Sequence, residues 1–301
     1  MVTVKKIDTF SGHRDCVYAL EAGATPNEVF SAGGDGMVVR WDLARPDLGA
    51  PIAQVGASVY AMAFDAASNH LWVGQNYDGI HVIDLALKKE IAAVKITGAA
   101  IFTIKIHGQN AYIGTSDGLI TVMDVGSFAV KKHIKASSQS VRSIDFDPKS
   151  HDMAVCYSDN CIRIFDSQTL DLKQVIEAHN NSVFVVKYAP NAPYLVSAGR
   201  DAHFKIWKTD QNYDLVADVP AHLFAINDVV FSPDGQYFLT ASMDKCIKVW
   251  DAQRFKLLKV IDRARHAAHG TSINRLLWTN YQNQVLSASD DRTISVWSLE
   301  F

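Results

Sequence analysis

One short segment is written seven times along this chain. VVRWD (38–42), IHVID (80–84), ITVMD (120–124), IRIFD (162–166), FKIWK (204–208), IKVWD (247–251) and ISVWS (294–298) share an alternating pattern built around one large side chain. That pivot is Trp41, Ile83, Met123, Phe165, Trp207, Trp250 and Trp297, at intervals of 42, 40, 42, 42, 43 and 47 residues. A second landmark precedes each pivot: Val17, Val59, Ile101, Val141, Val183, Ile226 and Ile273. It stands 24 residues ahead in six copies and 22 in the third, where His107-Gly108-Gln109-Asn110 makes a tight turn. Around the landmarks, as in SVRSIDF (140–146) and SVFVVKY (182–188), apolar and polar residues alternate at period two with Val, Ile and aromatics, which is strand chemistry. Turn residues such as Ser232-Pro233-Asp234-Gly235, Asp147-Pro148-Lys149 and Ser116-Asp117-Gly118 separate the runs, and no stripe of helical period is sustained.

A period of roughly 40–45 residues is that of four strands per propeller blade. The expectation is therefore an all-β, seven-bladed β-propeller with four antiparallel strands per blade. It is read as a single unit over 1–301, although a prior of roughly 150 residues per domain suggests two. Seven blades need seven outer strands, yet the last pivot, Trp297, stands just before Phe301. The strand Val2 to Phe10 is available ahead of the first repeat, and pairing it with the last blade closes the ring and removes open edges.

Polar residues recur as strictly. His13, Ser31, Asp35 and Trp41 sit at offsets 0, 18, 22 and 28. The same offsets return in His179, Ser197, Asp201 and Trp207; in His222, Thr240, Asp244 and Trp250; and in His269, Ser287, Asp291 and Trp297. Together with the Trp41-Asp42 and Trp250-Asp251 dipeptides and the upstream Gly12-His13, these residues make the chain resemble the WD-repeat family over nearly its whole length. The resemblance implies that each set is a buried hydrogen-bonded tetrad. The physical reason is that a buried indole N–H and an imidazole each need a partner. In copies two to four the pivot is Ile83, Met123 or Phe165, the hydroxyl becomes Val73, Ile113 or Val155, and Val55, Lys95 or Ser137 replaces the His. The set is exchanged together. Asp78, Asp117 and Asp159 are read as the turn acids that persist, serving the backbone alone.

His, Ser and Asp also compose a hydrolase triad, but a triad occurs once and has no reason to recur at blade spacing. There is no G-x-S-x-G elbow, H-E-x-x-H pair or P-loop, and Gly33-Gly34-Asp35-Gly36 reads as a strand turn. The four cysteines, Cys16, Cys156, Cys161 and Cys246, form no CxxC pair and have no His at zinc spacing. Reduced thiols in a cytoplasmic setting, no metal, no cofactor and no enzyme activity are expected. Met1 to Asp8 carries Lys5 and Lys6 with no apolar stretch behind them, unlike a signal peptide, and the longest uncharged run, Leu48 to Phe64, is interrupted by Gly and Pro. No membrane association is expected. The net charge of −3 gives no field favouring nucleic acid, although Lys131-Lys132-His133 and the stretch Arg254 to Arg265 are locally basic.

Partners of WD-repeat proteins often dock around the channel mouth, and the resemblance points to three positions per blade: before the landmark, after it, and before the turn Asp. The position after the landmark reads Tyr18, Tyr60, Phe102, Arg142, Phe184, Asn227 and Asn274. Four aromatics and an arginine have hot-spot chemistry. The position before the turn Asp adds Tyr77 and Arg200. The aromatics either form a partner surface, with faces open to an inserted Arg or Lys, or plug the channel. An insertion of 5 residues around Asp262 to Ala268 carries Arg263 and Arg265, either a solvated loop or a basic lip on the same face. The reading is a protein–protein interaction scaffold, acting as a monomer or within a hetero-complex. The alternatives are an enzyme or small-ligand binder in the channel, which needs convergent carboxylates or histidines on the inner strands, and a nucleic-acid binder. His107, His133 and His151 share no register.

Overall fold

The computed structural model describes residues 2–46 and 49–301; Met1, Asp47 and Leu48, the last at the start of the uncharged run, lie outside the described residues. Among the described residues, 28 strands form seven four-stranded antiparallel sheets. The first blade runs Val17–Ala22, Glu28–Gly33, Met37–Asp42 and Ala50–Gln54 in spatial order, and five further blades repeat that order. The seventh sheet takes its outermost strand from the other end of the chain. Thr3–Phe10 pairs antiparallel with Ile294–Glu300, with Thr3 opposite Glu300 and Phe10 opposite Ile294. Each innermost strand touches the next, and the seventh, Ile273–Trp278, touches the first, so the ring is closed. No described helix is long and apolar enough to cross a membrane.

The core lies between blades rather than inside any one of them. Seven apolar clusters occupy the seven junctions; one joins Phe30, Val38 and Val59 with Leu71, another joins Ile162 and Ile164 with Val186 and Trp207. A four-stranded sheet leaves two apolar faces uncovered, and only neighbours on both sides remove them from water. Second strands are accordingly buried along all or most of their length, wholly so in Glu28–Gly33, while outer strands such as Val130–Lys135 are mostly exposed. The closing strand joins this packing through Phe10, stacked on Trp41 of the first blade at 4.8 Å.

A defect recurs in every inner strand. Pairing with the second strand slips between Val17 and Ala19, Val59 and Ala61, Ile101 and Thr103, Val141 and Ser143, Val183 and Val185, Ile226 and Asp228, and Ile273 and Arg275. Each slip is a β-bulge. The extra residue stays out of the ladder and the bulge turns its side chain in a new direction. Val17 and Leu20 pack toward the seventh blade and Ala19 toward the second, so a regular inner strand aims at its neighbours. The residue that the bulge re-aims is Tyr18 or its equivalent.

Candidate functional site: a channel mouth lined by seven bulged residues

Tyr18, Tyr60, Phe102, Arg142, Phe184, Asn227 and Asn274, with Arg275, line one depression of about 270 Å³. One residue comes from each of the seven inner strands, so the depression lies on the ring axis. Five of the seven form a continuous arc. Tyr18 meets Tyr60 edge-on at 4.8 Å, and Tyr60 stacks on Phe102 at 5.7 Å. The Arg142 guanidinium then lies 4.1 Å from the Phe102 ring centre and 4.5 Å from that of Phe184. The expected opening for a guest Arg or Lys is thus taken by the protein's own arginine at Phe102 and Phe184. The other two side chains are spent on closing the ring. Asn227 donates to Ser272 Oγ at 3.0 Å and to the Ile273 carbonyl at 2.9 Å; Asn274 donates to the Val17 carbonyl at 3.0 Å and to Asp290 at 2.8 Å.

The turn position in the second blade differs from the sequence reading. The left-handed residue of the turn is Gly36, Gly118, Asn160, Ala202, Lys245 and Arg292 in six blades but Tyr77 in the second, one place earlier. Gln75 pairs with Gly79 there, so Asn76 stands where Gly34 stands in the first blade and Tyr77 takes the place of the turn Asp. Asp78 is therefore not a persisting turn acid. Asn76 is buried, and its side-chain Oδ1 accepts the Ile101 N–H of the next blade at 2.8 Å. Tyr77 is 64% exposed. Arg200 does hold the expected position and is exposed.

The inserted loop folds as one helical turn, Arg263–His266, capped by Asp262, whose carboxylate accepts the Arg265 N–H at 2.9 Å. Arg265 also pairs with Asp262 through its guanidinium, at 2.9 Å from Nε. Neither arginine lines the mouth; Arg263 borders a separate open depression with Ala267, Ala268, Gly270, Thr271 and Asp291. Lys131 in the other basic stretch is paired with Asp124 at 2.6 Å. None of the four cysteines is bridged, and burial pushes the Cys156 thiol up to about 12.

Two features escaped the sequence reading. Leu223 and Phe224, 84% and 61% exposed, form an apolar tip beside Met243 in the sixth blade, where Arg14-Asp15 and Asn180-Asn181 follow the tetrad His in others. A Leu-Phe pair at a position otherwise polar was a legible signal. Deeper in the channel lie Glu21, Lys105, Asp145, Lys187, Asp228 and Arg275. They include carboxylates converging on inner strands, the feature the channel-site alternative requires. Two of them have structural duties: Asp145 accepts the Tyr188 N–H at 2.8 Å and pairs with Lys105 at 3.0 Å, and Asp228 accepts the Leu276 N–H at 2.9 Å, each binding one inner strand to the next. Burial raises Glu21 against the pull of Lys105, and lowers Lys187.

The four polar sets meet inside their blades. Trp41, Trp207, Trp250 and Trp297 donate to Ser31, Ser197, Thr240 and Ser287 at 2.8, 2.8, 3.0 and 2.9 Å. Those hydroxyls lie 2.7, 2.7, 2.7 and 2.9 Å from Nε2 of His13, His179, His222 and His269. The opposite nitrogens, Nδ1, contact Asp35, Asp201, Asp244 and Asp291 at 3.1, 2.9, 2.8 and 2.8 Å. An indole only donates and a carboxylate only accepts. The hydroxyl therefore passes its proton bond to Nε2, and Nδ1–H donates to the acid, with a neutral ring satisfying every group. In the fourth blade Asp159 is not left to the backbone: it accepts Ser137 Oγ at 2.6 Å and pairs with Arg163 at 2.8 Å.

The comparisons follow this division except at the fourth blade, which is matched although it lacks the tetrad. The model for "WD domain, G-beta repeat" matches residues 4–42, 128–166, 170–208, 213–251 and 261–298, more than half of the chain, and passes over the second and third blades. The chain is 23% identical over 165 residues to the WD repeat-containing protein SL1-17 of Schistosoma mansoni, covering 54% of each. It is 26% identical over 217 residues to a striatin homolog of Dictyostelium discoideum, covering 65% of this chain and 26% of that one. It is 22% identical over 182 residues to the THO complex subunit 6 homolog of Danio rerio, covering 54% of this chain and 56% of the relative. The chain thus spans about half the length of the first and third of these relatives and about a quarter of the second. The crystal structure of the WD40 β-propeller domain of Doa1 superposes with a TM-score of 0.86 at 15% identity, over 98% of this chain and 97% of that one. With seven four-stranded blades, four complete polar tetrads and five matched repeats, the chain belongs to the WD-repeat β-propeller family.

Proposed function

We propose that this protein is an interaction scaffold whose channel mouth receives a segment of a partner protein. The observation that carries the reading is the convergence of seven bulged side chains, one per blade, on a single depression. A bulge costs ladder hydrogen bonds, and repeating it seven times at the same register gives a common aim to side chains of unlike chemistry. Closed rings of this kind are rigid platforms whose remaining sheet edges are short. The family's relatives include a protein named for its complex, the THO complex subunit 6 homolog, which supports a protein partner.

The test is alanine at Tyr18, Tyr60 and Phe184 together. These rings are half-buried and touch one another or Arg142, so the variant is compared with the wild type both by affinity capture and by thermal unfolding. Capture of a defined partner lost while the unfolding midpoint holds supports the scaffold reading. Capture unchanged in a folded variant, or collapse of the fold, assigns the rings to packing.

A further inference from the structure

We propose that the mouth binds the carboxylate of an aspartate or glutamate side chain, offered by an acidic segment of the partner protein, and that Arg142 is the residue that receives it. This deepens the scaffold reading and rests on it. Phe102 and Phe184 cover the guanidinium from 4.1 and 4.5 Å. Cation–π contact engages the faces of the planar group. The five N–H donors leave from its edge and find no use in that contact. Among the described residues Nε is buried without an acceptor. Burial works against the charge, and the groups that act on it most are Cys156 and Tyr60, neither of them a carboxylate.

The rest of the mouth is charged unevenly. Arg275 lies 3.8 Å from Asp228, and Asp290, on the seventh blade, is held by Asn274. Arg142 on the fourth blade and exposed Arg200 on the fifth make the opposite side cationic. A guest lysine or arginine would meet Arg142 already seated at two of the rings, and like charge is repelled. A carboxylate matches the free edge of the guanidinium and can accept two parallel N–H bonds. At about 270 Å³ the depression sits below the roughly 300–1,000 Å³ of ligand pockets, which suits a single side chain rather than a cofactor or a helix.

The test uses the full chain and pools of capped hexapeptides, otherwise uncharged and randomised, with one fixed central residue: Glu, Gln, Lys or phosphoserine. Affinity is read by fluorescence anisotropy. The Glu pool is expected to bind about tenfold tighter than the Gln pool, the size of one charge-assisted hydrogen-bonded contact. That preference should vanish in Arg142→Met, which keeps a side chain between the two rings, and weaken in Arg142→Lys, which keeps the charge and loses the fork. If Arg142→Met does not fold, Arg142→Lys alone decides. Equal binding of Glu and Gln pools, tighter binding of the Lys or phosphoserine pool, or an unchanged preference in the Arg142 variants overturns the carboxylate while leaving the mouth a peptide site. Failure of every pool, joined to partner capture that survives the triple alanine variant, removes the channel mouth as the partner site as well.

Discussion

Blades 1, 5, 6 and 7 are each threaded by a hydrogen-bonded chain from indole to carboxylate, whereas blades 2, 3 and 4 fill the same places with Val73, Ile113 and Val155 under Ile83, Met123 and Phe165. Both solutions are buried, and both build the same four strands. What differs is how each tolerates change. A polar set is complete or costly, because a buried donor left without its acceptor loses roughly 1–3 kcal/mol. An apolar set has no such threshold. The second blade shows the exception directly: Trp72 is buried with its indole N–H unpartnered among the described residues, and Tyr77 has displaced the turn acid.

The largest contrast is expected from removing one oxygen. Ser197→Ala keeps the packing volume but orphans the Trp207 N–H and leaves Nε2 of His179 without its donor, so it should cost about 1–3 kcal/mol in urea unfolding. Trp72→Phe, in a blade without the set, removes an N–H that bonds to nothing described, so its cost should come from the lost ring volume alone. A loss in Ser197→Ala well below about 1 kcal/mol would break the comparison.

A smaller effect is expected when the whole set is exchanged. His179→Ser, Ser197→Val and Trp207→Phe together install in the fifth blade what the fourth carries as Ser137, Val155 and Phe165. The triple variant should lose less than about 1.5 kcal/mol, and less than Ser197→Ala alone, because no partner is left behind. Additive losses from the three single substitutions would mean the network is not a unit.

The smallest effect is the acid sensitivity that the polar sets add. Burial holds His222 below its ordinary pKa, against the pull of Asp244, so the folded ring stays neutral where an unfolded one protonates. Its contribution to stability is present above roughly pH 6.5 and is lost as the pH falls from there toward the folded value. Asp201 and Asp244 are lowered, and Asp291 is lowered to about 2: burial opposes the carboxylate, and the His bonds and other donors overcome it. Their contribution is present above about pH 3.9 and is lost as pH falls further, for Asp291 through about 2. Unfolding midpoints should thus fall in two stages between pH 8 and pH 2, and His222→Gln should flatten the first stage. A single stage near pH 4, unchanged by that substitution, contradicts the assignment.

The tetrads were legible because a buried polar set requires fixed offsets along the chain, and four sets shared them. The mouth was legible only as a column of letters. That column mixed two roles, since Tyr18 and Arg142 line an opening while Asn227 and Asn274 bind one blade to the next. Asp78 misled because an acid before glycine looks like the usual turn, although it stands 23 residues after Val55 and 5 before Ile83, where the other turn acids stand 22 after and 6 before; the strand pairing shows the same one-residue shift. The charged channel was equally open to reading as a column, because Glu21, Lys105, Asp145 and Lys187 each stand four residues after their landmark Val17, Ile101, Val141 or Val183; what the letters do not tell is that this edge of the strand faces the axis.

From its letters alone this chain determined the number of wedges, their four-strand make-up and the strand that joins first to last. Those depend on period, alternation and turn chemistry, which are local and repeat. The tertiary structure decided where each re-aimed side chain ends up and what it meets there. Arg142 between two rings, and asparagines turned into inter-blade ties, arise from contacts across neighbouring blades, so they exist only once the ring is closed.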